Sequence, residues 1–169
     1  MRLFIAIQLN DALKRSAREV QTDFRRLHVK GNFIPPENLH ITLAFIGEFG
    51  DPDRILELME GVVFQPFTIT MDRIGCFDTL WWTGFTQSSG LESLAGQVRH
   101  ILADTKVPYD RSRFKPHVTI LRKAEFTHGR IEPVTIHPAS MTVDKISLMQ
   151  STQGKNGRIY TELGSVIMQ

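Results

Sequence analysis

Asn38-Leu39-His40-Ile41-Thr42-Leu43 and Lys115-Pro116-His117-Val118-Thr119-Ile120 are the two stretches that organise this chain. Each is rich in β-branched and apolar residues and reads as a strand carrying the tetrapeptide His-x-Thr-x. Successive side chains on a strand face opposite ways. Ile41 and Leu43 are therefore expected in the core, with His40 and Thr42 together on the other face. Val118 and Ile120 should do the same for His117 and Thr119. Each strand then offers an imidazole and a hydroxyl about 7 Å apart, the rise of two strand residues. The histidines lie 77 residues apart in a chain of 169. That spacing, close to half the length, suggests two related halves, each giving one strand to a shared site.

Working outward, Arg2–Gln8 reads as a strand. Asn10 is placed to cap a helix from Asp11 to about His28, with Leu13, Ala17, Val20, Phe24 and Leu27 on its apolar face and Gly31-Asn32 as its stop. Phe33-Ile34 reads as a short strand, and Leu39–Ile46 as a longer one. Asp51-Pro52 opens a helix running to about Glu60. Thr68–Phe77 and Leu80–Thr86 form a hairpin around Asp78-Thr79. Ser89 with Glu92 makes a capping box for a helix to about Asp104. Lys115–Leu121 is a strand, Thr135-Ile136 a weak one, and Met141–Gln150 with Arg158–Val166 a final pair around the polar segment Ser151–Gly157. Strands outnumber helices, and several connections are too short for parallel crossovers. The expected class is α+β with antiparallel sheets, and no linker or low-complexity segment divides the chain.

The composition is that of a globular protein, 41% hydrophobic and 22% charged. A net charge of +2 does not mark a general nucleic-acid binder, so any basic surface must be local. The single cysteine, Cys76, excludes an intramolecular disulfide and argues against a cysteine metal site. Its apolar flanks suggest a buried, inert thiol. Met1–Gln8 is short and runs into a charged helix, unlike a signal peptide. No apolar run reaches the roughly 20 residues of a membrane span. A soluble cytoplasmic protein is expected.

Two imidazoles and two hydroxyls facing one cleft suit phosphodiester hydrolysis. One base must take a proton from water, and one acid must protonate the leaving oxygen. Histidine does both near neutrality, since its reference pKa is about 6.5. Threonine hydroxyls can donate to non-bridging phosphate oxygens. No cofactor is called for, and no metal, because neither motif has carboxylates at ligand spacing apart from Glu37. A lone His-x-Thr on a strand is commonly structural; two copies with matched apolar filling point to chemistry.

In this light Pro35 to Glu48 (PPENLHITLAFIGE) resembles the first motif of the two-histidine phosphoesterases, and specifically of the RNA 2′,3′-cyclic phosphodiesterases, also called 2′-5′ RNA ligases or LigT-like proteins. Phe114 to Arg122 (FKPHVTILR) resembles the second, and Arg2 to Ile7 that family's first strand. Leu121 stands where the family usually has a small residue. The resemblance spans nearly the whole chain. It implies a single bilobal domain over residues 1–169, with two antiparallel sheets, flanking helices, a pseudo-twofold axis and an active cleft between the lobes. It implies hydrolysis of RNA or nucleoside 2′,3′-cyclic phosphate to a terminal 2′-phosphate. His40 would be the proton donor to the 3′ oxygen, and His117 the proton acceptor from water. Thr42 and Thr119 would hold phosphate oxygens, Arg122 would add charge at the cleft edge, and Phe4 is a candidate to stack a base. The sequence alone does not break the symmetry between acid and base.

The partners implied are RNA ends or nucleotides bearing a 2′,3′-cyclic phosphate, acted on by a monomer away from membranes. A 2′-5′ RNA ligase or 2′,5′-oligonucleotide phosphodiesterase would use the same four motif residues. A non-catalytic binder of nucleotides or RNA ends is the third reading, but it has no need for both proton-transfer groups. Arg111, Arg113, Lys115, Arg122 and Lys123 bracket His117 and favour phosphate attraction over a merely solvated run. Arg25, Arg26 and Lys30 suit a helix end. Of Trp81 and Trp82, one should be core and the other is free to stack a base. His28, His100, His128 and His137 lack the motif context and read as surface or capping residues.

Overall fold

The computed structural model describes residues 1–127 and 134–168. In chain order its elements are β1 (Arg2–Gln8), α1 (Asp11–Arg26), β2 (Lys30–Phe33), β3 (His40–Glu48), α2 (Pro52–Met59), β4 (Phe67–Phe77), β5 (Leu80–Phe85), α3 (Ser89–Asp104), β6 (His117–Glu125), β7 (Ala139–Val143), β8 (Lys145–Gly154) and β9 (Gly157–Ile167). A 3-10 turn, Pro36–Asn38, leads into β3. The strands form two antiparallel sheets, ordered β3-β1-β8-β9 and β2-β6-β5-β4-β7. The class is the α+β arrangement expected.

The two sheets share a plan. Strands β3-β1-β8-β9 correspond in spatial order to β6-β5-β4-β7, and β2 is an extra strand outside β6. In each half a strand, a helix and a motif strand come in that order, β1-α1-β3 with β2 interposed and β5-α3-β6 without, and the two strands pair antiparallel. The helices cross over. Helix α1 packs on β6 and β7 of the opposite sheet, and α3 packs on β3. The halves are therefore laced together rather than merely juxtaposed.

Burial explains why these segments take these forms. In β1 the side chains of Leu3, Ile5 and Ile7 enter the main core, while Phe4 and Ala6 face the other way and join Met149, Phe45 and Tyr160 in a smaller cluster. Asn10 Oδ1 accepts from the Leu13 amide, and Leu13, Ala17, Val20 and Phe24 are buried as the helical spacing predicts. Asp51 caps α2 with Pro52 at its first position. In the motif strands Ile41, Leu43, Val118 and Ile120 are completely buried, each contributing about 1.5–3 kcal/mol of transfer free energy.

Several boundaries differ from the sequence reading. Helix α1 ends at Arg26 and is capped by Leu27, with His28 left-handed (φ 61°) and its N–H donating to Arg25 O while Val29 N–H reaches Phe24 O. Gly31 is not its stop. It lies in β2 at φ 147°, where a Cβ would come within 2.7 Å of Arg122 O. The α3 cap is Ser88, not Ser89, through a bond from Leu91 N–H. The run Met141–Gln150 is two strands, because the chain passes from one sheet to the other at Asp144. Residues 151–157 are mostly strand around a tight turn, and Thr135-Ile136 forms no strand. Cys76 is exposed, since its apolar flanks sit beside the turn of the β4-β5 hairpin. His128 lies outside the described residues.

Candidate active site

A cavity of about 480 Å³ opens between the sheets, and His40, Thr42, His117, Thr119, Arg122 and Phe4 all line it. These are the six residues singled out from sequence. Each motif strand turns its histidine and threonine to the cleft and its aliphatic residues to the core.

The symmetry extends well beyond the tetrapeptide. Two residues before each histidine, a backbone carbonyl accepts from its Nδ1: Asn38 O at 2.7 Å for His40, and Lys115 O at 2.5 Å for His117. A carbonyl can only accept, so Nδ1 carries the hydrogen in both neutral rings. Nε2 is then the nitrogen with the free lone pair. Three residues after each histidine comes a β-bulge. In β3 the pairs with β1 run Ile5–Ala44 then Ala6–Thr42, passing over Leu43. In β6 the pairs with β5 run Trp81–Leu121 then Trp82–Thr119, passing over Ile120. A bulge shifts the alternation by one. Ala44 and Leu121 are thereby kept buried, and the fifth residue after each histidine, Phe45 or Arg122, turns into the cleft.

Each bulge is held from the opposite half. Gln21, the eleventh residue of α1, donates from Nε2 to Ile120 O and to Ile34 O, both at 2.9 Å. Arg99, the eleventh residue of α3, donates from Nε to Leu43 O at 3.1 Å. Ile120 O also accepts from the Ile34 amide at 3.0 Å, so Gln21 gives it a second donor, and both clamps tie a bulged main chain to a side chain from the other half. The helices that cross between the sheets thus fix the segments that aim Phe45 and Arg122.

The two imidazoles differ in setting. His40 is wedged against Phe4 (4.9 Å between centroids) and Tyr160 (5.3 Å). Its Nε2 lies 2.8 Å from Thr42 Oγ1, so in the neutral ring the hydroxyl donates to nitrogen. Burial is the main cause that lowers its pKa to about 4, helped by the charge of Arg122 and by His117. His117 stands against Phe77 (5.3 Å) and Trp82 (6.4 Å). Among the described residues its Nε2 has no protein partner. Its pKa is also lowered, chiefly by burial and then by the charges of Arg122 and Lys115. Both rings are therefore mostly neutral at pH 7, beside a guanidinium without an ion-pair partner among the described residues.

Residues 9–155 match the model of the 2′-5′ RNA ligase superfamily. The chain belongs to that superfamily. RNA 2′,3′-cyclic phosphodiesterases from Escherichia coli K12 and Archaeoglobus fulgidus are 32% and 31% identical to it. Each alignment takes in 96% of this chain, with 93% and 98% of the respective relative. Among solved structures, Escherichia coli LigT complexed with 3′-AMP superposes with a TM-score of 0.79 at 30% identity, covering 99% of this chain and 96% of that one. A Thermus thermophilus protein superposes at 0.84 with 28% identity, covering 99% and 98%.

In this member of the 2′-5′ RNA ligase superfamily, sequence reading missed several cleft residues. Arg2, Phe45, Leu80, Ser151, Arg158 and Tyr160 also line the cavity. Arg158 is fixed by donation from Nε to Ser151 Oγ at 2.8 Å, and its own carbonyl accepts from Asn38 Nδ2. Strand β9 carries Arg158 and Tyr160 to the first motif through pairing that no local pattern announces. Phe4 is in the cleft but only 4% exposed, its ring covered by His40 and Tyr160. Trp81 packs on Phe24 and Phe126. Trp82 lies beside His117 but does not line the cavity. His100 pairs with Asp104 and His137 with Glu19, and neither lines the cleft; nor does His28. Of the basic run, only Arg122 reaches this cavity. Among the described residues no three His, Cys, Asp or Glu side chains converge in metal-binding geometry.

Proposed function

We propose that this protein hydrolyses the 2′,3′-cyclic phosphate of an RNA end or nucleotide to a terminal 2′-phosphate, with His117 as base and His40 as acid. The observation that carries this reading is the pair of imidazoles pinned at Nδ1, with their Nε2 atoms turned to one cleft beside Arg122. The names of the relatives support the substrate class. His117 Nε2 takes a proton from water as the water oxygen bonds to phosphorus. The P–O3′ bond breaks, and O3′ takes the proton from Nε2 of protonated His40. The product keeps its phosphate on O2′. The proton gained by His117 returns to His40 through solvent to close the cycle. Arg122, Thr119 and Thr42 hold the equatorial oxygens. When His40 is protonated its Nε2 no longer accepts from Thr42, which frees the threonine hydrogen for phosphate while Nε2–H turns to O3′.

The low pKa of His40 suits an acid only if the substrate raises it. The substrate does, because a phosphodiester monoanion in a desolvated cleft favours the imidazolium. His117, with an unengaged Nε2, is the better placed to receive a proton from water. Side chains alone carry both proton transfers, so no metal enters the reading. Both motifs come from one chain, which supports a monomeric unit acting as a single bilobal domain over residues 1–169. No helix among the described residues is long and apolar enough to cross a membrane, and the exposed thiol of Cys76 suits the reducing cytoplasm.

RNA ending in a 2′,3′-cyclic phosphate tests this directly. A 2′-phosphate product formed equally well in EDTA is expected. A 3′-phosphate would reverse the leaving group, and strong inhibition by EDTA would require a metal.

A further inference from the structure

A second cavity of about 350 Å³ opens on the outer side of His117 and shares Thr42, Phe45 and His117 with the catalytic cleft, so the two spaces are continuous. Three cations line it, Arg99, Arg113 and Lys115, against one carboxylate, Asp110. Arg99 is spent on structure. It donates to Leu43 O and Ser112 O, and its guanidinium lies near the Tyr109 and Phe114 rings. Asp110 is turned into its own loop, where the Ser112 hydroxyl, and then the Ser112 amide donating to Oδ1 at 2.9 Å, hold the carboxyl below its usual range. Arg113 and Lys115 make no ion pair among the described residues.

The cavity also has an aromatic wall. Phe77 is 38% exposed, one of few large apolar side chains so open, and Lys115 Nζ stands 5.1 Å from its ring centroid. Trp82 supports Phe77 from behind at 5.3 Å. It can lie there because Gly75 has no side chain; a Cβ would meet the indole at 2.3 Å. The loop carrying the cations is fixed as well, by Asp110 N–H to Phe45 O at 2.8 Å and Arg99 Nη1 to Ser112 O at 2.6 Å. Two available cations, one of them over a braced aromatic ring, form a preorganised site for a phosphate with a neighbouring base.

We propose that this cavity is a subsite for the RNA body. The phosphodiester on the 5′ side of the terminal nucleotide sits between Arg113 and Lys115, and an adjoining base takes the place of the Lys115 ammonium on the Phe77 ring as that ammonium turns to the phosphate. The proposal deepens the hydrolytic reading and rests on it: the preferred substrate is an oligonucleotide end rather than a free nucleoside cyclic phosphate.

The test compares kcat/KM on a trinucleotide ending in a 2′,3′-cyclic phosphate with that on a nucleoside 2′,3′-cyclic phosphate. The wild type should prefer the trinucleotide by roughly tenfold or more, given the usual strength of base stacking on an aromatic. Arg113→Ala should lose much of that preference and leave the nucleoside rate unchanged, while Arg113→Lys restores part of it. The salt slope on the trinucleotide should fall by about 0.7 in Arg113→Ala, one single-strand phosphate contact. Equal wild-type kcat/KM on both substrates, or a parallel fall on both in Arg113→Ala, would overturn the subsite. If the wild type turns over neither substrate, the hydrolytic reading fails instead. Equilibrium binding of a trinucleotide with a 2′-phosphate end then decides the subsite: weaker binding to Arg113→Ala supports it, and equal binding overturns it.

Discussion

His40 and His117 occupy the same backbone in two different neighbourhoods. Both donate from Nδ1 to the carbonyl two residues back. Both precede a bulge held by the eleventh residue of a helix from the other half. Yet the residue each bulge aims into the cleft is an aromatic in one half and a cation in the other. Phe45, with Arg2 5.0 Å from its ring centroid, belongs to the apolar floor that buries His40. Arg122 gives the second half the charge that acts on both imidazoles. A common strand design positions two like groups, and the residue after the bulge makes their surroundings unlike. That is a way to obtain an acid and a base from one side-chain type.

The harshest way to break the comparison is to delete either ring. His40→Ala and His117→Ala should each lower kcat on a cyclic-phosphate RNA by about 10²–10⁴-fold, with circular dichroism unchanged. The double variant should fall well short of the product of the two losses, because the pair acts as a unit. Rates within a few-fold of wild type in either single variant would remove that histidine from the chemistry.

The next largest effect separates the two post-bulge residues. Arg122→Ala should cost about 10²-fold in kcat/KM, the usual scale for losing a donor to developing phosphate charge. Arg122→Lys should recover part of it, since an ammonium keeps the charge but not the planar fork. Phe45→Ala should reduce activity much less and show mainly as a lower melting temperature. Equal losses at the two positions would mean that the halves are not differentiated there.

The smallest effect concerns the clamps. Gln21→Ala and Arg99→Ala should each destabilise the fold by about 1–3 kcal/mol in urea titrations, by removing buried hydrogen bonds to main-chain carbonyls. Arg99→Ala should cost more, since Ser112 O loses its partner too. Thr22→Ala, on the exposed side of α1 next to Gln21, is the control and should stay within about 0.5 kcal/mol. A control as damaging as Gln21→Ala would deny the clamp its role.

The motif strands were legible because period-two alternation over His40–Leu43 and His117–Ile120 leaves one consistent way to bury four aliphatic side chains. Phe4 came from resemblance rather than from pattern, and Arg122 from resemblance together with the basic run around His117. The bulges were not legible. From His40 and Thr42, alternation alone would aim Ala44 at the cleft, and only the register against β1 shows that Phe45 takes that place. Arg158 and Tyr160 sit in an ordinary polar strand more than a hundred residues from His40, and they reach the site by sheet pairing. The passage between sheets at Asp144 interrupts an alternating run without a glycine or proline to mark it. Cys76 has apolar neighbours in sequence but stands near a hairpin end, where there is no core to cover it.

The central claim, that one half supplies the base and the other the acid, is tested most directly by the pH dependence of kcat/KM in the wild type and the two single histidine variants. Both imidazoles of the free enzyme titrate below the ordinary 6.5. The wild type should therefore give a bell with its maximum on the acid side of pH 6.5, falling through neutrality because the protonated fraction of His40 keeps shrinking above its pKa of about 4. His40→Ala, left with the base alone, should rise with pH to a plateau. His117→Ala, left with the acid alone, should fall as pH rises. Residual rates that move in the same direction in both variants, or are flat from pH 4 to 8, would contradict the division of labour, and opposite slopes of reversed sign would exchange the two roles.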